Sequence, residues 1–289
     1  MRLGTTTTLF ARGRDGSRVS YEDQLKACRE AGFLTVELDL STALGGEDWE
    51  SEISRIGEAL SSLGLDASQA RAPFNDFLFT AGKAPSEEEK AHLCTSLSRT
   101  VEACGRLGVK ELVLRPLNDS INTEYDTEII VGTNRDFYLP YAEAAASHGT
   151  GVTFENMYEL NMAEWRRTFC TSVDDLLLLT GAFEGLNAGV CWDFGHAHQM
   201  FADQAAAMKR VGGLIRATHA YDASTVRVSH LLPFMGSIKW EKLIPALRET
   251  GYKGDFILSS EAFMNDMPDA LRSDAAKIAY DFGAYCMGL

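Results

Sequence analysis

Four apolar segments in the second half of the chain each end on a side chain that can bind a metal ion. Glu155 ends GVTFE, Asp193 ends AGVCWD, His219 ends LIRATH and Glu261 ends FILSSE. Three carboxylates and one imidazole form a ligand set that suits a hard divalent cation. Because the C-terminal ends of the strands in a parallel barrel meet on one face, residues far apart in sequence can surround one ion there.

Each of these residues also has a structural interpretation when it is taken alone. A carboxylate at the end of a strand commonly caps the next helix or forms a salt bridge in a loop. His196 follows Asp193 by three residues, so it either contacts the substrate or the metal, or orients Asp193 from the loop. His198 has no comparable pattern around it and is interpreted as a solvated or capping side chain.

The composition of the chain indicates which classes of binding partner to expect. The chain has 289 residues and a formal net charge of −14, which disfavours binding to nucleic acid or to an anionic membrane surface. Its six cysteines are scattered without a Cys-x-x-Cys pair, as is typical of reduced thiols in the cytosol. The start, MRLGTTTTLF, does not resemble an export signal, and no apolar span of 18 residues follows it. We therefore expect a cytoplasmic protein that acts on a small molecule.

The elements that must position the four residues form a repeating pattern of strand and helix. The predicted strands are Leu3 to Thr8, Phe33 to Leu38, Leu65 to Ala70, Val109 to Leu114, Gly151 to Phe154, Ala188 to Trp192, Leu214 to Thr218, and Asp255 to Ser259. Amphipathic segments lie between them; in SYEDQLKACREAG, Leu25 and Cys28 share a face and Gly32 ends the helix. Repeated helix-to-strand joins of this kind require parallel strands with right-handed crossovers.

The pattern predicts an α/β protein, a (β/α)8 TIM barrel that occupies residues 1–289 as a single domain. An open, doubly wound sheet is the main alternative. No GxGxxG or GxxxxGK[ST] run follows the first predicted strand, so the usual nucleotide signature of that alternative is missing. The connection from Asn118 to Asp136 is longer than an ordinary loop of this fold and is either an active-site lid or an insertion.

The segments GVTFEN, CWDFGHAH, ATHAYD, HLLPFMGSIKW and ILSSEAF resemble those of the xylose isomerase-like TIM barrel superfamily of sugar isomerases and epimerases. The resemblance implies a divalent ion held by Glu155, Asp193, His219 and Glu261, with His196 beside it touching the substrate. Mn²⁺ is the expected ion, and Mg²⁺, Co²⁺ and Zn²⁺ are alternatives. Members are often dimers or tetramers, which makes a homo-oligomer an alternative to a monomer.

One branch of this superfamily, the apurinic endonucleases, binds additional metal ions. In that branch an aspartate precedes the histidine that corresponds to His230 by two residues, whereas this chain has Val228 there. The branch also has histidines at the ends of its third and fourth strands, where this chain has Arg71 and Arg115. Since arginine stays protonated, it is not an ordinary metal ligand. One metal ion is therefore the better prediction.

The two arginines have two interpretations of their own. Each stands at a predicted strand end close to a proline, where it would meet a carboxylate, phosphate or hydroxyl of the substrate. The alternative is a structural ion pair, for example with Glu37 or Asp39. Further candidates for substrate binding are His230 and, more weakly, Arg227. Four aromatic residues are candidates for an apolar wall of the pocket, or else for core packing: Phe74, Phe77, Trp49 and Trp240.

The predicted ligand set suggests a mechanism. Four protein ligands leave positions for two adjacent oxygens of a hydroxy-ketone, so a flanking carboxylate can remove the acidified proton and give a metal-stabilised enediolate. In the ketose 3-epimerase branch, the ligands that match Glu155 and Glu261 exchange the proton from opposite sides. That branch has a second glutamate where this chain has Asn161. The alternatives are a dehydratase or C-glycoside-cleaving lyase at the same site, and a sugar-binding barrel without turnover.

Overall fold

The computed structural model describes residues 1–73, 86–118, 125–159, 168–224, 227–265 and 267–289. Its strands are β1 (Leu3–Thr6), β2 (Thr35–Asp39), β3 (Asp66–Arg71), β4 (Glu111–Leu114), β5 (Gly151–Glu155), β6 (Ala188–Asp193), β7 (Ile215–His219), β8 (Asp222–Ser224), β9 (Arg227–Leu231) and β10 (Phe256–Leu258). Eight of them form one parallel sheet in the order β10-β1-β2-β3-β4-β5-β6-β7, and β8 and β9 pair as a separate antiparallel hairpin.

Ala220, which follows β7, joins the two ends of this sheet. Its amide donates to the carbonyl of Ile257 at 2.8 Å, and its own carbonyl accepts from the amide of Ser259 at 2.9 Å. The first and last strands of the sheet are therefore neighbours, as in a closed barrel. The predicted (β/α)8 TIM barrel is confirmed, and the open sheet is not the fold of this chain.

The helices surround the barrel: α1 (Tyr21–Ala31), α2 (Trp49–Leu63), α3 (Glu87–Leu107), α4 (Thr127–Ser147), α5 (Val173–Gly181), α6 (Phe194–Met200), α7 (Gln204–Val211), α8 (Trp240–Glu249), α9 (Glu261–Asn265) and α10 (Arg272–Gly288). Helix α1 shows how the sequence sets their limits. The Ser20 hydroxyl accepts from the amide of Asp23, and Gly32 ends the helix at φ 114°. Leu25 and Cys28 are fully buried on its inner face, as predicted.

Alternation along the strands divides the side chains between the two faces of the sheet. In β2, Val36 and Leu38 belong to the apolar core, whereas Glu37 points into the barrel and meets side chains of other strands. The same period of two places Glu155 and Asp193 on the inner face at the ends of their strands. The mouth of the barrel is therefore lined by buried polar groups.

The segment HLLPFMGSIKW is anchored by one buried carboxylate. Asp222 accepts four N–H groups, from Ala223, Phe234, Ile238 and the indole of Trp240, at 2.8 to 3.1 Å. Gly236 is required at this point because a Cβ there would lie 2.3 Å from Asp222 Oδ1. Trp240 is fully buried, so it is a core residue and not a wall of the pocket. These contacts place the β8–β9 hairpin and His230 at the mouth of the barrel.

Several predicted boundaries were wrong. Strands β2 and β4 begin at Thr35 and Glu111, two residues later than predicted. The first strand ends at Thr6, and residues Thr7–Phe10 form a 3-10 turn because the Thr6 hydroxyl accepts from the amide of Thr8. The predicted connection to Asp136 is shorter, because Asp126 caps α4 through the amides of Glu128 and Ile129 at 2.9 and 3.1 Å. Residues 119–124, on which the lid hypothesis depends, lie outside the described residues. Within the described ranges, no helix has the length and apolar character needed to cross a membrane.

Candidate metal centre

One group of potential ligands at the barrel mouth comprises Glu155, Asp193 and His196. One ligand atom from each lies within 4.8 Å of the others, and all three residues are buried. Glu155 is the last residue of β5, Asp193 is the last of β6, and His196 lies in the first turn of α6. Two of the four predicted ligands and the predicted neighbour therefore meet at one point.

His219 completes this group from the end of β7. Its Nδ1 lies 2.6 Å from Glu155 Oε1 and 3.8 Å from Asp193 Oδ2. Its Nε2 lies 2.6 Å from Glu37 Oε2, deep in the barrel. The ring thus presents one nitrogen to the two carboxylates of the site, while Glu37 holds the other.

The charges of these groups stabilise one another. Burial alone would raise the pKa of Glu155, but Arg115 and His219 hold it well below its ordinary value. Burial would likewise raise the pKa of Glu37, which His219 and Arg71 lower. Burial alone would lower the pKa of His219, but neighbouring groups raise it well above its ordinary value. The nearby Cys191 thiol, with its pKa raised to about 12 by burial, is neutral, so Glu37 and Glu155 produce this effect.

Asn156 connects β5 to β6 behind the site. Its side-chain amide accepts from the amide of Asp193 at 2.7 Å and donates to the Asp193 carbonyl at 3.0 Å. Its backbone carbonyl lies 2.8 Å from Nδ1 of His196. Because a carbonyl can only accept, His196 carries its hydrogen on Nδ1 and keeps the lone pair on Nε2. Burial also lowers the pKa of His196, which favours the neutral ring.

Asp193 has the alternative role, that of a helix cap, and its predicted role as a metal ligand stays a prediction. Its Oδ1 accepts from the backbone amide of His196 at 2.7 Å, so it does cap α6. Its Oδ2 lies 3.6 Å from His196 Nδ1 and 3.8 Å from His219 Nδ1. One oxygen therefore fixes the side chain, and the other faces the two histidines.

Glu261 begins α9, just after β10. Its Oε1 accepts from the hydroxyls of Thr8 and Ser259 at 2.6 and 3.1 Å, and its Oε2 lies 3.1 Å from His230 Nδ1. Burial would raise the pKa of Glu261, but His230 and Arg71 lower it, so the side chain is a carboxylate at neutral pH. In the sheet, β10 lies three strands from β5 by way of β7 and β6, which places Glu261 nearly opposite Glu155 across the mouth.

Both arginines at strand ends form ion pairs. Arg71 Nη2 lies 3.0 Å from Glu37 Oε1 and 3.3 Å from the hydroxyl of Ser259. Arg115 Nε donates to Glu155 Oε2 at 2.9 Å. The ion-pair interpretation therefore describes both arginines, and Arg71 pairs with Glu37, which was one of the partners considered. Contact with a substrate stays a prediction for both arginines, whose side chains are 21% and 30% exposed.

The structure describes some of the remaining predicted residues and not others. His230 stacks on the ring of Tyr221 at 4.0 Å, and His196 packs against Tyr158 at 4.5 Å. Arg227 begins β9, but its side chain is not described, and Phe74, Phe77 and Asn161 lie outside the described residues. Trp49 lines a cleft beside the site. The role of His230 in substrate binding stays a prediction.

A divalent ion fits these residues on chemical grounds. Glu155 and Asp193 are buried carboxylates, which are costly to bury without a positive partner. His219 has the arrangement typical of a metal-binding histidine, with one nitrogen held by the carboxylate of Glu37 and the other directed to the site. Glu155, Asp193, His219 and Glu261 stay the predicted ligands of such an ion, with His196 predicted beside it.

Sequence reasoning did not place Glu37, Gln69, Asn156 or Tyr221 in the site. Glu37 was considered only as a partner for Arg71, yet an acidic residue between Val36 and Leu38 in an apolar strand is itself a signal. Gln69 Nε2 donates to Glu37 Oε2 at 2.6 Å, and the same oxygen contacts His219. Asn156 follows a predicted ligand directly. The position of Tyr221 depends on Gly195, where a Cβ would lie 2.0 Å from its ring, and no sequence pattern reveals that contact.

Solved structures of other proteins share the fold of this chain. The structure of D-psicose 3-epimerase with D-tagatose from Clostridium cellulolyticum H10 matches with a TM-score of 0.76 over 99% of both chains, at 14% identity. The IOLI protein with a zinc atom matches with a TM-score of 0.76 at 16% identity, over 100% of this chain and 98% of that one. These likenesses show a shared fold.

Sequence comparison adds two matches. The uncharacterized protein y4fM of Sinorhizobium fredii is 34% identical over 65 residues, which cover 22% of this chain and 21% of that protein. The model of the xylose isomerase-like TIM barrel family matches residues 25–281, which is most of the chain. The protein therefore belongs to the xylose isomerase-like TIM barrel family.

Proposed function

We propose that this protein is a divalent-metal-dependent isomerase or epimerase that acts on the hydroxy-ketone of a sugar or of a sugar-derived polyol. The observation that carries the proposal is the placement of two carboxylates, Glu155 and Glu261, nearly opposite each other at the barrel mouth. Two proteins of similar structure support the same class, since one is an epimerase with a ketose and the other holds zinc.

The expected ion is Mn²⁺, with Mg²⁺, Co²⁺ or Zn²⁺ as alternatives, and Glu155, Asp193, His219 and Glu261 are its proposed ligands. When bound, such an ion polarises a substrate carbonyl and acidifies the adjacent C–H. The remaining chemistry is proton transfer by side chains of this chain. A carboxylate that is ionised at neutral pH can accept that proton, and both Glu155 and Glu261 are ionised by their cationic neighbours.

The neighbours of the two carboxylates differ, which suggests different roles. Arg115 pairs with Glu155 and keeps it ionised, so Glu155 suits the removal of a proton. His230 Nδ1 donates to the Ser259 carbonyl at 2.8 Å and lies 3.1 Å from Glu261 Oε2, so a group that carries a proton stands beside Glu261. Return of the proton from the opposite face inverts the carbon, whereas return to the neighbouring carbon of the enediolate moves the carbonyl. His196, with its lone pair on Nε2, is placed to accept a hydrogen bond from a substrate hydroxyl.

Deuterium exchange tests the proposal. The purified protein is incubated in D₂O with Mn²⁺, Mg²⁺, Co²⁺ or Zn²⁺ and a panel of ketoses and inososes, and NMR follows the C–H signals. Uptake of solvent deuterium without loss of water is the expected result. A dehydrated or cleaved product would instead identify a lyase at this site, and binding without exchange for every substrate would identify a sugar-binding barrel.

Two variants connect the exchange to the proposed residues. Glu155→Gln and Glu261→Gln should each slow exchange at least about 100-fold, because general acid–base catalysis contributes roughly that much or more. Glu30→Gln, on the exposed face of α1, is the matched control and should exchange at the wild-type rate. Full metal content and full activity in either site variant would contradict the assignment.

A further inference from the structure

A large cleft opens beside the candidate metal centre, at the C-terminal ends of β1 and β2. Its volume is about 930 Å³. That is near the upper end of the range of about 300–1,000 Å³ typical of pockets for drug-sized ligands, which are larger than one sugar ring. The four proposed metal ligands are not among the described residues that line it.

The cleft nevertheless touches the site at two points. Thr8 lines the cleft, and its hydroxyl donates to Glu261 Oε1 at 2.6 Å. Asp39 also lines it, and in the sheet Asp39 is the partner of Arg71, whose guanidinium lies 3.3 Å from the Ser259 hydroxyl that contacts Glu261. A molecule that reacts beside Glu261 can therefore extend along Thr8 towards Asp39.

The lining of the cleft indicates the chemistry of its ligand. Trp49 is half-buried in the wall, and α3 holds the ring, since the guanidinium carbons of Arg99 and Arg106 lie 5.6 and 5.9 Å from its centroid. Among the described lining residues, arginines and carboxylates occur in equal number. A phosphate site would have an excess of positive charge. An aromatic ring surrounded by both donors and acceptors suits a neutral, polyhydroxylated ring.

We infer that this cleft binds a second sugar ring, or a comparable neutral polyol, that is covalently attached to the reacting hydroxy-ketone. The substrate is then a glycoside-sized molecule, with its ketone at the metal centre and its second ring against Trp49. The inference rests on the proposed function, because it deepens the substrate class of the same site.

Ketodisaccharides test it directly, because each joins a hydroxy-ketone to a second ring. Isothermal titration of the Mn²⁺-supplemented protein compares isomaltulose and lactulose with D-fructose. The expected result is that at least one ketodisaccharide binds ten-fold or more tightly than D-fructose. Equal affinities for all three sugars, or no binding of either ketodisaccharide, would overturn the inference.

Variants assign that preference to the cleft. Trp49→Ala removes the ring, and Ser41→Trp fills the cleft from an exposed position without disturbing the core. Both should bring the affinity ratio close to one by weakening the ketodisaccharide, whereas Tyr285→Ala, which removes a remote exposed aromatic residue, should keep the wild-type ratio. If the folded Ser41→Trp variant kept the wild-type affinity ratio, the assignment of the preference to the cleft would be wrong, even if Trp49→Ala fails to fold.

The same sugars separate this inference from the proposed function. Deuterium exchange on D-fructose without any preference for ketodisaccharides would leave the isomerase proposal standing and refute the cleft. A preference that depends on Trp49, together with no exchange on any substrate, would refute the isomerase proposal and leave the cleft as a binding site.

Discussion

Replacement of Glu37 by glutamine should weaken metal binding although Glu37 is not a proposed ligand. Glu37 is fully buried, and its Oε2 lies 2.6 Å from both His219 Nε2 and Gln69 Nε2. The neutral amide removes the charge that orients the imidazole and makes it more basic. Loss of such a supporting carboxylate typically weakens metal affinity by about 10- to 100-fold. This range corresponds to about 1.4 to 2.7 kcal/mol of binding free energy.

Titration of the metal-free protein with Mn²⁺, followed by calorimetry, measures this effect. Stability must be measured beside it, because Glu37→Gln also removes the ion pair with Arg71 at 3.0 Å. Removal of one partner of a buried pair costs about 3 to 5 kcal/mol, and the partial exposure of Arg71 places the expected loss below that range.

Glu111→Gln is the matched control. Glu111 is also a buried strand carboxylate paired with an arginine, since Arg216 Nη2 lies 2.6 Å from its Oε1, but it stands in the first position of β4, at the opposite end of the barrel. It should lose stability without a change in the dissociation constant for Mn²⁺. If folded Glu37→Gln bound Mn²⁺ within a factor of two of the wild type, the proposed support of His219 would be wrong.

Three further predictions concern the scaffold of the site. Asp222→Ala leaves four N–H groups, three of them buried, without their acceptor and should lower the free energy of unfolding by about 3 kcal/mol or more in chemical denaturation. Gly195→Ala should cost about 1 to 3 kcal/mol, because its methyl group displaces the ring of Tyr221; an unchanged melting temperature would contradict this. Burial raises the pKa of Asp255, but Arg2 lowers it by more, so the folded-state pKa lies below the unfolded one. The pair therefore stabilises the fold above the unfolded pKa, and this stabilisation is lost as the pH falls. Asp255→Asn should therefore lose less stability than the wild type between pH 6 and pH 3.

The sequence predicted the fold well because the barrel repeats two simple signals. Apolar strands alternate with amphipathic helices, and residues such as Gly32, with φ 114°, end the helices where only glycine is comfortable. Two of the errors lie where a single side chain changes the local backbone. Thr6 starts a turn by accepting from the amide of Thr8, and Asp126 starts α4 ten residues before the predicted end of the connection.

The sequence predicted the residues of the candidate site that stand at strand ends, but not those that lie deeper in the barrel. Glu155, Asp193 and His219 could be found because each follows an apolar run, and the structure brings them together. The role of Glu37 depends on which strands are neighbours and on how far a side chain reaches, since it meets His219 from a strand 182 residues earlier in the chain. Contacts of that kind belong to the closed barrel and leave no local pattern.

The charges at the barrel mouth give a reason for expecting one metal ion. Four buried or half-buried carboxylates surround the site: Glu37, Glu155, Asp193 and Glu261. Among the described residues, two arginines face them, because Arg71 pairs with Glu37 and Arg115 pairs with Glu155. A histidine that binds a metal ion is neutral, and with the site histidines in that form the remaining deficit equals the charge of one divalent ion. Additional ions would make the buried cluster strongly positive, which is costly away from water. Metal analysis of the purified protein should therefore find one divalent ion per chain, and two or more bound at this site would refute the charge argument.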